Sequence, residues 1–560
     1  MQSSLFLTPL KLSMFIQAGW ITLVPLLIML TVRKLRSYEK GTAGMSRTGP
    51  LEADPIEDSG AAPSQEQGLL NDAPGEYRGF LQQFRDASQD MADVNEHSLY
   101  LKNLKAPATL FFLNGLTDKP SLDQFVMRPL LEWANQTEGE NLPTGGDLRT
   151  LLMEQVLLVS EMEAVPDVET ALTSVLFGST VLLLEGLPGV LILGSSRGNT
   201  RSIEDPISES ILRGPRIGFT EALSDNTAML RRQGKSKHLA MVSFRVGTKV
   251  EKTLIVAYFK DIADPELVEE VKRRVQAIEM DEVLETGYVE QWIEDDFLSP
   301  FPQVQNTERP DRVIAALLEG RVALLLDGSP FALLVPVTFS MMLQSPEDYY
   351  ERWLPSSFIR MLRFVATWIS LFAPALYIAF ISFHPGLFPT KLVLSIVSTR
   401  KGVPFTTLIE VLILEVSIEI LREAGLRLPK PIGPAMGIVG GLIIGQAAVN
   451  AGIVSPILVI IVSATAISSF VAPIYSAGIV MRMLRFPAMF SAALFGLYGL
   501  IMFFLLLCIH MTRLRSFGVP YTQMLAPKSY GDWKDFFLRA PLRFMRNRPA
   551  VFRSQSRKRK

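Results

Sequence analysis

The chain has 560 residues, 48% of them hydrophobic, and its 55 Lys and Arg balance 56 Asp and Glu to a formal net charge of −1. That length and apolar content leave room for a membrane domain and at least one water-soluble domain. The single cysteine, Cys508, excludes a disulfide framework and a thiolate metal site, and His97, His238, His384 and His510 are not spaced as metal ligands usually are, so neither a metal nor another cofactor is expected.

Residues Leu12 to Val32 form an apolar stretch of about one bilayer thickness, followed by Arg33, Lys34 and Arg36. Region 1–36 therefore reads as an N-terminal membrane anchor, or as the product of a start assigned too far upstream. Residues 37–78 are rich in Gly, Pro, Ser, Ala and acidic residues without periodicity, the composition of a disordered linker.

From 79 to 344 the composition is soluble and the elements alternate. Strand-like runs span Thr109–Leu116, Val181–Gly186, Val190–Gly194, Thr253–Phe259 and Arg321–Val337; helix-like runs span Ser121–Ala134, Asp147–Ser160, Thr220–Arg232, Asp264–Ile278 and Pro310–Leu318. Asp264-Pro265-Glu266 supplies an N-cap with proline in the first turn. The tetrads Gly186-Leu187-Pro188-Gly189 and Asp327-Gly328-Ser329-Pro330 each separate two apolar runs, predicting hairpins and a sheet that is antiparallel at least in part. The expectation is an α/β domain of two subdomains.

The chain then changes character. Tyr349, Tyr350 and Trp353 stand among Arg352, Arg360 and Arg363 just before an apolar run, as a cytoplasmic membrane interface favours. This predicts a cytoplasmic α/β domain followed by a multi-span α-helical membrane domain at 345–511, with spans near Phe364–Phe383, Ile432–Val449, Val454–Ile474 and Pro487–Ile509. The shorter or charged segments Leu387–Val397 and Thr406–Leu421 are read as re-entrant, interfacial or buried. Arg422, Arg427, Lys430, Arg482 and Arg485 suggest inside loops. Residues 512–560, Lys/Arg-rich and ending RSQSRKRK, suit a basic cytoplasmic tail beside anionic lipid better than a nucleic-acid arm.

Within the membrane region Glu415, Glu419 and Glu423 recur at steps of four and share one helix face. Carboxylates are costly in a bilayer unless they face water, a polar partner or the protein interior. The readings that follow are a solvated interfacial face or salt bridges to Arg422 and Arg427, or else a ring of carboxylates formed by several subunits at a pore mouth, attracting cations. Gly433, Gly437, Gly441 and Gly445 make a side-chain-free stripe for close helix packing, and Gln446 and Asn450 add a polar patch for interhelical hydrogen bonding or a water-lined path. Gly194-Ser195-Ser196-Arg197-Gly198 lacks the Gly-Lys-Ser/Thr ending of a phosphate loop, and no nucleophile elbow, HExxH or kinase signature occurs, so catalysis is not expected. Paired broken helices in internal repeats, the mark of a secondary transporter, are not found.

Six stretches, Arg213–Arg232, GYVEQWIED (Gly287–Asp295), Glu319–Phe339, QSPEDYYERW (Gln344–Trp353), EILREAGLRLPKPIG (Glu419–Gly433) and IGQAAVNAGIVSP (Ile444–Pro456), closely resemble the A subunit of GerA-type nutrient germinant receptors of endospore-forming bacteria, in the same order from about residue 80 to 515. The resemblance implies a multi-pass protein of the spore inner membrane that works with a polytopic, nutrient-recognising B subunit and a lipoprotein C subunit. It further implies a homo-oligomeric ring, pentameric in expectation, that opens as a cation channel. A non-conducting scaffold that docks the B subunit is the competing expectation.

Overall fold

In the computed structural model, residues 75–102, 105–136, 146–195, 206, 208–209, 211–427, 445–522, 535–536 and 538–558 are described. The expected anchor at Leu12–Val32 and the glycines Gly433, Gly437 and Gly441 lie outside them.

Helix α1 (Gly75–Ser88) begins inside the stretch expected to be linker, because Tyr77, Leu81 and Phe84 recur at helical spacing and are all buried. Phe84 stacks on Phe111 with ring centroids 4.1 Å apart. Strands β1 (Val94–Leu101) and β2 (Ala106–Leu113) follow, then helical residues 119–136, including α2 (Arg128–Gln136), and a second helical segment at 146–156. Next come β3 (Met162–Val165), α3 (Val168–Leu176), β4 (Thr180–Leu184) and β5 (Val190–Leu193). The five strands form an antiparallel sheet ordered β1-β2-β4-β5-β3.

The chain then repeats this plan. Helix α4 (Leu223–Gly234) leads into β6 (Leu239–Val246) and β7 (Lys252–Phe259), two helices α5 (Pro265–Gln276) and α6 (Thr286–Ile293), β8 (Gln305–Thr307), α7 (Pro310–Leu318), β9 (Val322–Leu326) and β10 (Ala332–Val335). Their antiparallel sheet is ordered β6-β7-β9-β10-β8, the first order shifted by five. Two glycine pairs mark the correspondence. Gly178 and Gly320 precede the fourth strand of each sheet at φ +99° and +97°, and Gly186 and Gly328 turn the two hairpins at +86° and +83°. Positive φ is strained for a residue with a Cβ, so each half keeps glycine there. The N-terminal part is thus a duplicated α/β unit. Asp264 caps α5 as expected, accepting a hydrogen bond from Glu266 N.

The halves are joined through a buried ion pair. Arg231 of α4 donates to both carboxylate oxygens of Asp93 at 2.6 and 2.8 Å and to Leu239 O at 2.7 Å, and both side chains are 1% exposed. Beside it the backbones of Asp90, Ala92 and Met241 exchange hydrogen bonds of 2.8 Å.

Helix α8 (Trp353–Phe383) then leaves the soluble part, followed by α9 (Thr390–Arg400), α10 (Thr407–Arg427), α11 (Pro456–Ser469) and α12 (Tyr475–Arg513). Among the described residues two helices, α8 and α12, are long and apolar enough to cross a membrane. At 31 residues α8 is roughly 46 Å long, whereas α11, with 14 residues, is roughly 21 Å and shorter than a hydrocarbon core. Inside α12, Gly496 departs from helical geometry, and a Cβ there would meet Phe383 and His384 of the α8 end at 2.8–2.9 Å. Arg482 and Arg485, expected in a loop, lie within α12.

Both long helices end on the same soluble half. His510 of α12 bonds Ser299 at 2.9 Å, Ser516 Oγ donates to Gln303 O and accepts from Val337 N, and Tyr521 OH donates to Pro302 O. Of the region 512–560, the described residues 538–558 pack back onto the protein, with Val551 and Phe552 buried beside Met341 and Phe536, and Gln555 N donating to Ile262 O.

Asp93→Ala leaves Arg231 buried without its carboxylate, and we expect a loss of about 3–5 kcal/mol in chemical unfolding of the full chain; Asp93→Leu/Arg231→Met should recover most of it. On α6, burial, then the charges of Glu294 and Glu285, push the Glu290 carboxyl up to about 7. The folded chain then holds a proton that the unfolded chain has lost between about pH 4.5 and 7, so stability falls as pH rises through that window. Thermal unfolding of Glu290→Gln should show a flatter pH dependence there.

Candidate functional site

Helix α10 carries glutamates at 410, 415, 419 and 423, and the structure gives each an arginine from the same chain. Glu410, fully buried, accepts from Arg400 of α9 at 2.6 Å. Glu415 pairs with Arg485 of α12, and both side chains are 1% exposed. Arg485 also donates to Ser370 O at 2.7 Å and to Ser370 Oγ at 3.1 Å, so α8, α10 and α12 meet at one guanidinium. Glu419 accepts from Arg482 of α12 at 3.0 Å and from Arg422 at 3.3 Å. Glu423 pairs with Arg427 at 2.7 Å on the exposed surface.

The shared face inferred from the four-residue spacing is therefore a ladder. It runs from a dry end at Glu415 to a wet end at Glu423, with the buried Glu410–Arg400 pair off this face, and its α12 rungs come from Arg482 and Arg485, one helical turn apart. Sequence reasoning had paired the glutamates with Arg422 and Arg427 but had missed Arg485, although an arginine pair at a spacing of three within an apolar run is its signal. Arg422 also donates to Ser469 of α11 at 2.7 Å and lies 4.5 Å over the Phe470 ring. One carboxylate oxygen each of Glu410 and Glu415, and Nε of Arg400 and Arg422, are buried with no partner among the described residues.

Gln446 and Asn450 both stand exposed on the helical residues 445–450, and a Cβ at Gly445 would only touch Val459 of α11 at 3.5 Å. They do not join the ladder.

At the base of α8 the residues expected at a membrane interface divide. Trp353 is 47% exposed. Arg360 and Arg363 turn inward to Asp348, Arg363 binding both carboxylate oxygens at 2.7 and 2.9 Å and Arg360 one at 3.1 Å. Arg360 also holds Asp535 at 2.8 Å, and Tyr349 donates to Asp535 at 2.7 Å. Burial and the Asp535 charge keep the Tyr349 phenol well above its ordinary range. Tyr350 donates to Asp311 of α7. This junction ties the soluble part, the first long helix and the C-terminal segment together.

Residues 82–551 match the family model described as the Bacillus/Clostridium GerA spore germination protein. The chain belongs to this family. Among GerA-family relatives, the spore germination protein GerLA of Bacillus cereus is 41% identical over 87% of this chain and 98% of its own length. A Bacillus subtilis relative, the uncharacterized membrane protein YfkQ, is 43% identical over 79% of this chain and 85% of its own. The crystal structure of the N-terminal domain of the A subunit of the Bacillus megaterium spore germinant receptor GerK3 covers 46% of this chain and 94% of its own, at 27% identity and a TM-score of 0.36.

In this GerA-family chain, Arg485→Met strands Glu415 in an apolar surrounding, and we expect a loss of about 3–5 kcal/mol in detergent unfolding titrations. Adding Glu415→Leu to the same chain should restore most of that loss, since neither member of this pair then leaves an uncompensated buried charge.

Proposed function

We propose that this chain is the A subunit of a nutrient germinant receptor, assembling with copies of itself into a cation channel of the spore inner membrane. Its α/β domain faces the cytoplasm of the spore core, and it works with a polytopic B subunit that recognises the nutrient and a lipoprotein C subunit. Catalysis has no part in this reading.

The observation that carries it is the ladder, which joins charged side chains of α10 and α12 to Ser370 of α8, two of these three helices being long enough to cross a membrane. Paired, these charges hold α8, α10 and α12 in one arrangement; rearranged, the same carboxylates would face a path between subunits. The exposed Glu423, with Gln446 and Asn450, supplies the wet lining, while Glu415 and Glu419 hold the closed state. Gly433, Gly437, Gly441 and Gly445 serve packing between neighbouring helices. A nutrient opens such a path only if it binds the open and closed states with different affinity.

One observation favours the scaffold reading: each glutamate of the ladder is already neutralised by an arginine of its own chain. Conductance separates the two. Purified A subunit in planar bilayers should pass potassium current under the channel reading and none under the scaffold reading. In spores given a broad nutrient mixture, Glu423→Ala/Asn450→Ala at matched membrane levels should slow potassium release severalfold; unchanged release removes these residues from the ion path.

A further inference from the structure

The C-terminal segment carries a surface that neither the ladder nor the proposed channel uses. Residues 538–560 contain nine Lys and Arg and no Asp or Glu. Arg539 fastens the start of this segment to the base of α8: its backbone N donates to Ser357 Oγ at 3.0 Å, and its guanidinium donates to Glu351 O at 3.1 Å. At the far end, Arg548 donates to Leu318 O of the soluble part at 2.6 Å. Between these fixed points Leu538, Leu542 and Phe544 are 54–65% exposed, and Arg543 and Arg546 are exposed beside them.

The position of Ser357 decides what faces these side chains. Helix α8 exceeds a 30 Å hydrocarbon core by roughly ten residues, and its basic residues stand in its first three turns, so Trp353 to about Leu362 lie at headgroup depth. On those turns Trp353, Leu354, Phe358 and Leu362 are exposed as well. The apolar side chains of the C-terminal segment therefore continue the apolar surface of a helix base, at the level where aromatic rings and arginines partition between acyl chains and headgroups. The other long helix ends beside a similar pair, Phe297 and Leu298, immediately before the Ser299 that bonds His510.

We infer that residues 538–546 form a membrane-surface anchor that seats Leu538, Leu542 and Phe544 in the acyl boundary of the cytoplasmic leaflet and binds anionic lipid headgroups through Arg543 and Arg546. Apolar contact and phosphate attraction act together here, as in other interfacial segments of this composition. Because Arg360 and Tyr349 grip Asp535 only a few residues earlier, the anchor holds the junction at the base of α8 against the bilayer. Lipid charge then bears directly on the helix that leaves the soluble domain.

The full chain with Phe544→Cys in a Cys508→Ser background, spin-labelled and reconstituted into phosphatidylcholine vesicles with and without phosphatidylglycerol, tests this. We expect the ratio of oxygen to aqueous-nickel accessibility to rise severalfold with the anionic lipid, and to fall back with Arg543→Gln/Arg546→Gln or in high salt. A label equally open to the aqueous quencher in both vesicles overturns the anchor. So does a label shielded from both quenchers that shows dipolar broadening relieved by dilution with unlabelled chain, which would place a second copy on this surface. Leu542→Cys, read the same way, serves if the Phe544→Cys chain fails to fold.

Discussion

Asp348 receives Arg360 and Arg363 from successive turns of α8, and this buried contact sets where the first long helix leaves the soluble domain. One carboxylate cannot balance two guanidiniums, so Asp535 supplies the second charge from the C-terminal segment. The residues that return after α12 are thereby committed to the same place from which α8 departed. Removing either aspartate would leave an arginine desolvated and uncompensated, a situation that costs far more than the pairs gain in net stability.

The opposite demand is met by the α10 ladder. Its glutamates would be intolerable against lipid, and Arg400, Arg482 and Arg485 bring compensation from neighbouring helices. Such pairs fix which helices are neighbours, since an alternative packing must offer every charge another partner.

The soluble domain follows a simpler logic. Hydrophobic runs of strand length, the two glycine turns and the proline-led helix starts placed β2, β4, β5, β7, β9 and β10, the helical residues 119–136 and 146–156, and α4, α5 and α7 close to where they lie, whereas α3 and α6 were not read. Strands β1, β3, β6 and β8 were not read, because VNEHSLYL alternates weakly and β3 and β8 are only four and three residues long. Nor does the sequence display the duplication, whose marks are backbone requirements at Gly178, Gly320, Gly186 and Gly328.

By itself the sequence determined the family, through long motifs in order, the α/β character of the soluble part, both hairpins, and the common face of Glu415, Glu419 and Glu423. These features are local, written in periodicity, turn chemistry and spacing along one element. The tertiary structure decided the partners: Arg485 for Glu415, 70 residues away, and Asp535 for Arg360, 175 residues away. It also turned arginines that composition had assigned to loops and to a membrane interface into buried ion pairs. A charge states in the sequence that it needs a counter-charge; only the packing of distant elements determines which one comes within reach.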